Sequence, residues 1–234
     1  MIYERLTNDL DSRFDPDVYS GRVGKGLDKA LVRAQALSRC QNCAYVWRGD
    51  IRKFFESVRH DVLRSLLGGH FMYPLCDQVI GSYGVGLGRG MPIGNLTSQI
   101  FANIYLNEFD RYVRNYIKPN GYIRYGDDVA MLFANRRAAY LAERQGREYL
   151  GMVLGLEINP KNTYIGVADK ICFLGHKITA DTICVDDFCV KKAQERANFR
   201  NLGSYKNLRL SPELKDLLDR KILSEIETCI THPY

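Results

Sequence analysis

Adjacent carboxylates are the first residues of this chain that invite chemistry. Asp127 and Asp128 lie between two short apolar and aromatic runs, Gly121-Tyr122-Ile123-Arg124-Tyr125 and Val129-Ala130-Met131-Leu132-Phe133. Two strand-like runs joined through a Gly-Asp turn predict a β-hairpin. Neighbouring aspartates repel each other and are poor strand formers, so the pair costs stability unless a cation or solvent neutralises it. A metal site and a solvated hairpin tip both meet that need. A third carboxylate, Asp50, follows Ala44-Tyr45-Val46-Trp47, which reads as a buried strand ending near the aspartate. Strand ends are where function tends to sit, and a small sheet can bring such ends side by side. Three converging carboxylates suit a pair of Mg2+ ions, hard cations that keep room for substrate phosphates. Two such ions about 4 Å apart can activate a 3′-hydroxyl and stabilise a leaving pyrophosphate. The chemistry indicated is nucleotidyl transfer.

The elements that must position these residues follow from periodicity. Residues 1–17 show weak periodicity and read as a short lead-in. Tyr19-Ser20-Gly21-Arg22-Val23-Gly24-Lys25-Gly26 then sets three glycines around two cations before an amphipathic helix with Leu27, Ala30, Leu31, Ala34 and Leu37 on one face. A glycine-rich turn feeding a helix N-terminus can cradle phosphate, but this is not the P-loop pattern, and a plain loop-to-helix junction reads equally well. Residues 59–67 and 75–80 read as short helices. The stretch from Gly84 to Gly94 contains five glycines and Pro92, a loop with demanding backbone angles. From Thr97 onward Ile100, Phe101, Ile104, Phe109, Val113 and Tyr116 recur with helical spacing, capped by Asn95 or Thr97, in a helix of about five turns. Beyond the hairpin come a helix over 138–153, a strand at 156–158, a turn at Asn159-Pro160, an extended segment over 161–165, a strand, glycine and hairpin over 171–178, and a strand over 183–185. From Val190 the chain reads as helical and basic, with Lys191, Lys192, Arg196 and Arg200 spaced to line one face, a candidate second domain. This order predicts an α+β fold with an antiparallel core sheet and helices on one face.

A chain of 234 residues with 46% hydrophobic content buries a sizeable core, which excludes a disordered segment. No stretch approaches the roughly 18 consecutive apolar residues of a membrane span, and the first residues lack the basic-then-apolar order of a signal peptide. A cytoplasmic protein with no membrane partner is expected. The seven cysteines, an odd number, fit free thiols in a reducing compartment, and Cys40-Gln41-Asn42-Cys43 has no second pair to complete a zinc site. Charge is uneven: residues 1–17 hold five acids against two arginines, whereas residues 19–64 hold ten Lys/Arg against four acids. That basic stretch could hold a polyanion or be an ordinary solvated face.

Five segments carry a family resemblance. Asp50-Ile51-Arg52-Lys53-Phe54-Phe55, Met91-Pro92-Ile93-Gly94-Asn95-Leu96-Thr97-Ser98-Gln99, Tyr125-Gly126-Asp127-Asp128, Gly155-Leu156-Glu157-Ile158-Asn159-Pro160-Lys161-Asn162 and Phe173-Leu174-Gly175-His176 resemble, in family order, the palm motifs of reverse transcriptases. The match spans about residues 18–180. Most relatives carry Gln before the glycine of the second motif and Ser-Pro after it. This chain has Ile93-Gly94 and Ser98-Gln99, and with its Tyr19 to Gly26 segment it resembles the branch found in diversity-generating retroelements; group II intron, retron and defence-associated enzymes are the alternative branches.

The resemblance implies an RNA-directed DNA polymerase of right-hand architecture: partial fingers over 1–49, palm over 50–187, and a short basic helical thumb over 188–234, suited to gripping a template–primer backbone. It implies two Mg2+ ions, with Mn2+ as a substitute, an RNA template, a DNA or RNA primer, dNTPs, a basic helical accessory protein, and a bacterial or phage source. Asp50, Asp127 and Asp128 match the metal and catalytic aspartates, the Ile51 carbonyl completes a metal shell, and Lys161 matches a lysine that assists proton transfer to pyrophosphate. Phe55, beside Phe54, matches a steric gate against a ribose 2′-hydroxyl. Arg52 and Lys53 flank the triphosphate path, Ile93 and Gly94 line the incoming base pair, and Arg22 and Lys25 touch nucleotide or template. Apolar Ile93 in place of Gln implies error-prone copying opposite template adenine. Phe173, Leu174, Gly175 and His176 match the primer grip. Eighteen residues precede Tyr19, fewer than relatives carry. The resemblance therefore implies fingers that are truncated or supplied by another chain, and a truncated, inactive nucleic-acid-binding protein is the competing reading.

Overall fold

The strands that carry the aspartates pair in the middle of one sheet. The computed structural model describes residues 2–70, 72–83, 88–196, 216, 219 and 220. Strand β1 (Tyr45–Asp50) lies between β3 (Asp128–Phe133) and β4 (Tyr164–Val167), and β2 (Gly121–Tyr125) pairs with β3 at the edge, giving an antiparallel sheet of order β2-β3-β1-β4. Register places Asp50 opposite Asp128 and Tyr125 opposite Asp128, so the β2–β3 turn consists of Gly126 and Asp127 alone.

Because side chains alternate along a strand, Trp47, Val129, Met131 and Phe133 enter one core and Val46, Ala130 and Leu132 the other. Burial on both faces explains why β3 is apolar after its aspartate. The first face receives α6 (Leu96–Tyr112) and α7 (Arg136–Tyr149), as expected. Asn95 and Asn135 cap these helices by accepting from Thr97 N and Ala138 N. Both helices unwind into a π turn, Val113–Ile117 and Leu150–Leu154, each followed by a left-handed residue, Lys118 and Gly155. Alanines 139 and 142 and Gly146 are buried on α7, and the Trp47 ring lies 3.4 Å from where a Gly146 Cβ would stand.

The second face is not bare. It is covered by α2 (Leu27–Ser38), through Ala30, Leu31, Ala34 and Leu37, and by a separate antiparallel sheet of β5 (Ile171–Phe173), β6 (His176–Ile178) and β7 (Ile183–Val185). Three short helices, α3 (Phe54–Ser57), α4 (His60–Leu67) and α5 (Tyr73–Gly81), connect β1 to the loop before α6, and α8 (Asp187–Arg196) follows β7.

Two expectations need correction. The lead-in contains a helix, α1 (Ile2–Leu10), packed on α6, with Leu6 fully buried. Its apolar residues Ile2, Leu6 and Leu10 recur every four, a helical spacing masked by intervening charge. The strand expected at 156–158 is a single bridge between Ile158 and Ile51. That segment runs past the end of β1, where no longer ladder is available. Most of the basic region from Val190, Arg200 included, lies outside the described residues. Among the described residues no helix is long and apolar enough to cross a membrane.

Candidate active site

Two strand ends and one turn build the site. Along β1 the even residues share a face, so Arg48 and Asp50 point the same way, and Asp128 joins them from the opposite strand. Like charges opposite one another are unfavourable, yet these two carboxylates differ in their partners. Asp50 Oδ2 accepts from Asn159 Nδ2 and Asn162 Nδ2, both at 2.9 Å, and the Asp50 carbonyl accepts from Asn159 N at 2.7 Å. These bonds leave Oδ1 outside the clamp. Asp128 instead gives both oxygens to one guanidinium: Arg48 Nε donates to Oδ1 at 2.9 Å and Nη2 to Oδ2 at 2.7 Å.

Electrostatics follows from those partners. Burial works against the Arg48 charge, but Asp128 holds its pKa above the ordinary arginine value. Burial likewise pushes the Asp128 carboxyl up, with Arg48 pulling the other way. Among the described residues Asp127 has no such partner. Burial raises its carboxyl to about 6; its own backbone N–H opposes the rise, and the Asp50 and Asp128 charges add to it.

The turn is fixed from beneath. Gly126 has φ +63°, at the first central position of a two-residue hairpin, where glycine is at ease. Its carbonyl accepts from Arg124 Nη1 at 2.9 Å. Arg124 is fully buried and donates through Nε and Nη2 to Asp110 of α6 at 2.7 and 2.6 Å, and Tyr122 hydroxyl bonds the same carboxylate. The Gly126-Asp127 turn is thus tied to the central helix by a buried ion pair that is costly to break from one side.

Around this centre the residues read from sequence separate into several groups. Ile51 is buried, and the bonds of its bridge, Arg52 N to Glu157 O and Asn159 N to Asp50 O, leave its carbonyl out. Arg52 and Lys53 are exposed and reach Glu157 and Glu56; Lys53 adopts a left-handed φ of 46°. Phe54 is core, and Phe55 is half-buried with its ring edge-on to Phe54 at 5.3 Å. Met91 N donates to the Phe55 carbonyl at 2.7 Å, which draws the 91–94 loop to the first motif. On that loop Ile93 is 80% exposed, and Gly94 has φ +86° with open space around it. Lys161 is exposed beside Asn159. Leu174 and Gly175, both at positive φ, form the β5–β6 turn between buried Phe173 and buried His176.

Arg22 is not available as a free cation. It forks onto Asp11 and donates to the Asp11 and Asp15 carbonyls, bracing the N-terminal segment. Lys25 donates to Pro16 O at 2.7 Å over the Tyr19 ring. The other cations of residues 19–64 also have partners within the chain: Lys29 with the Gly24 carbonyl, Arg33 with Asp17, Arg39 with the Ala180 carbonyl, Arg59 with Asp61 and Arg64 with Asp77. This stretch is a network of internal pairs. Sequence reasoning missed Arg48, Asn159, Asn162 and the Arg124–Asp110 pair as site residues. The position of Arg48 two before Asp50, on the same strand face, was the available signal.

Among the described residues no three or more His, Cys, Asp or Glu side chains converge into a metal cage. Magnesium seldom needs one: it is commonly held by one or two carboxylates and completed by substrate phosphates and water. Asp50 Oδ1 and the Asp127 carboxylate are hard oxygen donors of that kind, so the residues present fit Mg2+, and Mn2+ equally.

Comparison with known proteins bears on the fold and the family. "Protein YkfC" of Escherichia coli (strain K12) is 29% identical over an alignment covering 57% of this chain and 46% of that protein. An "Uncharacterized 91 kDa protein in cob intron" of Schizosaccharomyces pombe is 28% identical, covering 49% of this chain and 14% of that protein. Among solved structures, apo telomerase from Candida tropicalis, truncated from its C-terminal domain, superposes with a TM-score of 0.61 at 13% identity, over 79% of this chain and 44% of that one. Telomerase from Candida albicans, in complex with a fragment of telomeric RNA, gives 0.58 at 12% identity, over 98% and 46%. The chain thus spans less than half the length of these proteins, and the structural likeness is to a palm-like polymerase fold. The family described as reverse transcriptase (RNA-dependent DNA polymerase) matches residues 1–178, and this chain belongs to it.

Proposed function

We propose that the chain is an RNA-directed DNA polymerase that copies an RNA template into cDNA by two-metal nucleotidyl transfer. The observation that carries the reading is the meeting of Asp50 and the Asp127 turn at one end of the β1–β3 pair, with the Asn159 and Asn162 amides closing on Asp50. Bound divalent cations would supply charge neutralisation at the attacking 3′-hydroxyl and the leaving pyrophosphate. Asp50 and Asp127 would hold them, with the Ile51 carbonyl, and Asn159 and Asn162 orient Asp50. Arg52, Lys53 and the amides around them bind the triphosphate of an incoming dNTP. Lys161 carries a proton toward pyrophosphate. The half-buried Phe55 ring excludes a ribose 2′-hydroxyl, and Phe173 to His176 support the primer end.

The branch proposed is that of diversity-generating retroelements, with partial fingers over 1–49, palm over 50–187, a basic thumb over 188–234 and a basic helical accessory protein as partner. Ile93 supports it. An 80% exposed apolar side chain beside a left-handed glycine is free to meet the templating base pair and offers it no hydrogen bond, so discrimination is loosened. The test is primer extension on an RNA template with dNTPs and Mg2+. Extension that is lost when NTPs replace dNTPs is expected; template–primer binding without extension would leave a nucleic-acid-binding protein instead. Ile93→Gln should lower misincorporation opposite template adenine, and unchanged fidelity would remove the branch assignment.

A further inference from the structure

The paired carboxylates of the hairpin are not equivalent. Asp128 has its two oxygens on one guanidinium, with both side chains largely enclosed, Arg48 at 20% and Asp128 at 14% exposure. The pair is built into the strands: Arg48 stands one pleat before Asp50, whose cross-strand partner is Asp128, so the bond is a short diagonal between neighbouring strands. A bidentate fork occupies the carboxylate in its own plane and leaves few lone pairs for a cation. Releasing Asp128 to a metal would strand a largely enclosed guanidinium beside other cations. Asp50 contrasts with it, since neutral amides hold one oxygen and keep its negative charge. Among the described residues, none donates a charged hydrogen bond to Asp127 in the turn.

Resting on the polymerase reading above, we propose that Arg48 withdraws Asp128 from the metal shell, so that Asp50 and Asp127 are the carboxylates that hold divalent cations and Arg48 sets their affinity. The charge of the site is then two carboxylates plus a neutral pair. Such a site binds a bare cation weakly and gains affinity when a nucleotide triphosphate brings its own oxygens.

Mn2+ binding to the whole chain without nucleotide, followed by electron paramagnetic resonance, tests this. Arg48→Met frees a carboxylate and should tighten Mn2+ about tenfold. Asp128→Asn leaves the Arg48 charge uncompensated and should weaken it. The decisive variant is Arg48→Met/Asp128→Asn, which has the net charge of the wild type and should bind Mn2+ within about threefold of it. A tenfold or greater loss in the double variant would make Asp128 a ligand and overturn the inference. Where a variant fails to fold, a Mn2+-soaked crystal of the wild type gives the answer by anomalous scattering: Asp50 and Asp127 at bonding distance with the Arg48 fork intact is expected, and Asp128 at bonding distance overturns it. Primer extension by the wild type separates the two levels. Extension together with Mn2+ loss in the double variant refutes the role of Arg48 alone, whereas a wild type that neither extends nor binds Mn2+ refutes both readings.

Discussion

Asp50 and Asp128 face each other across two strands, at the same level of the same sheet face, and carry the same functional group. One is clamped by two neutral amides and the other by a guanidinium. The difference teaches that the chemistry of a carboxylate in this sheet is set by what reaches it from neighbouring elements. Amides orient Asp50 and preserve its charge, whereas Arg48 consumes the charge of Asp128.

The largest effect should come from removing the charge that the amides preserve. Asp50→Asn is expected to lower single-turnover extension about a thousandfold, equivalent to several kcal/mol of lost transition-state stabilisation. Asp128→Asn, measured in parallel, should retain markedly more activity; equal losses would erase the contrast. Next in size is the clamp. Asn159→Ala with Asn162→Ala should cost about 10–100-fold in rate, the usual range for partners that orient a metal ligand, with template–primer affinity unchanged. A smaller effect tests the strand that delivers Asp50. The Trp47 ring comes within 2.7 Å of where a Gly49 Cβ would lie, so Gly49→Ala should cost about 1–3 kcal/mol in denaturant unfolding, as overpacking does.

The smallest effect is a pH window. The Asp127 carboxyl rises from 3.8 to about 6 on folding. Its favourable contribution is therefore present below the unfolded value and lost as pH climbs through about 6. Without metal, the wild type should lose thermal stability between about pH 4 and 6 relative to Asp127→Asn, and added Mg2+, which favours the ionised carboxylate, should reverse the loss. Parallel melting curves for the two proteins would contradict the burial of Asp127.

Much of this site was legible because its aspartates sit where an apolar run ends or turns. Gly126-Asp127 between two apolar runs dictated a hairpin, and the caps and spacing of α6 were readable from Asn95 to Tyr116. What stayed hidden depends on partners distant in sequence. The ten cations of residues 19–64 look like a polyanion surface by count, but composition cannot tell a free cation from one facing Asp11, Asp17, Asp77 or Asp128. Arg124 reads as a polar residue in a strand, and only the fold brings Asp110 to it from α6. Helix α1 was hidden for a different reason: its three aliphatic residues are outnumbered by charged and polar ones, so the short repeat was diluted. The 156–158 run has strand composition, and position alone, beyond the end of β1, limits it to one bridge.

The central claim is that the Asp127 turn and Asp50 form a working nucleotidyl-transfer centre. Single-turnover extension of a primer on an RNA template, comparing wild type with Asp127→Asn at concentrations where both are saturated with template–primer, tests it most directly. The account predicts dNTP addition by the wild type and a loss of about a thousandfold or more in the variant, with equal template–primer binding. Equal rates for the two proteins, or no addition by a wild type that binds the template–primer, would contradict it.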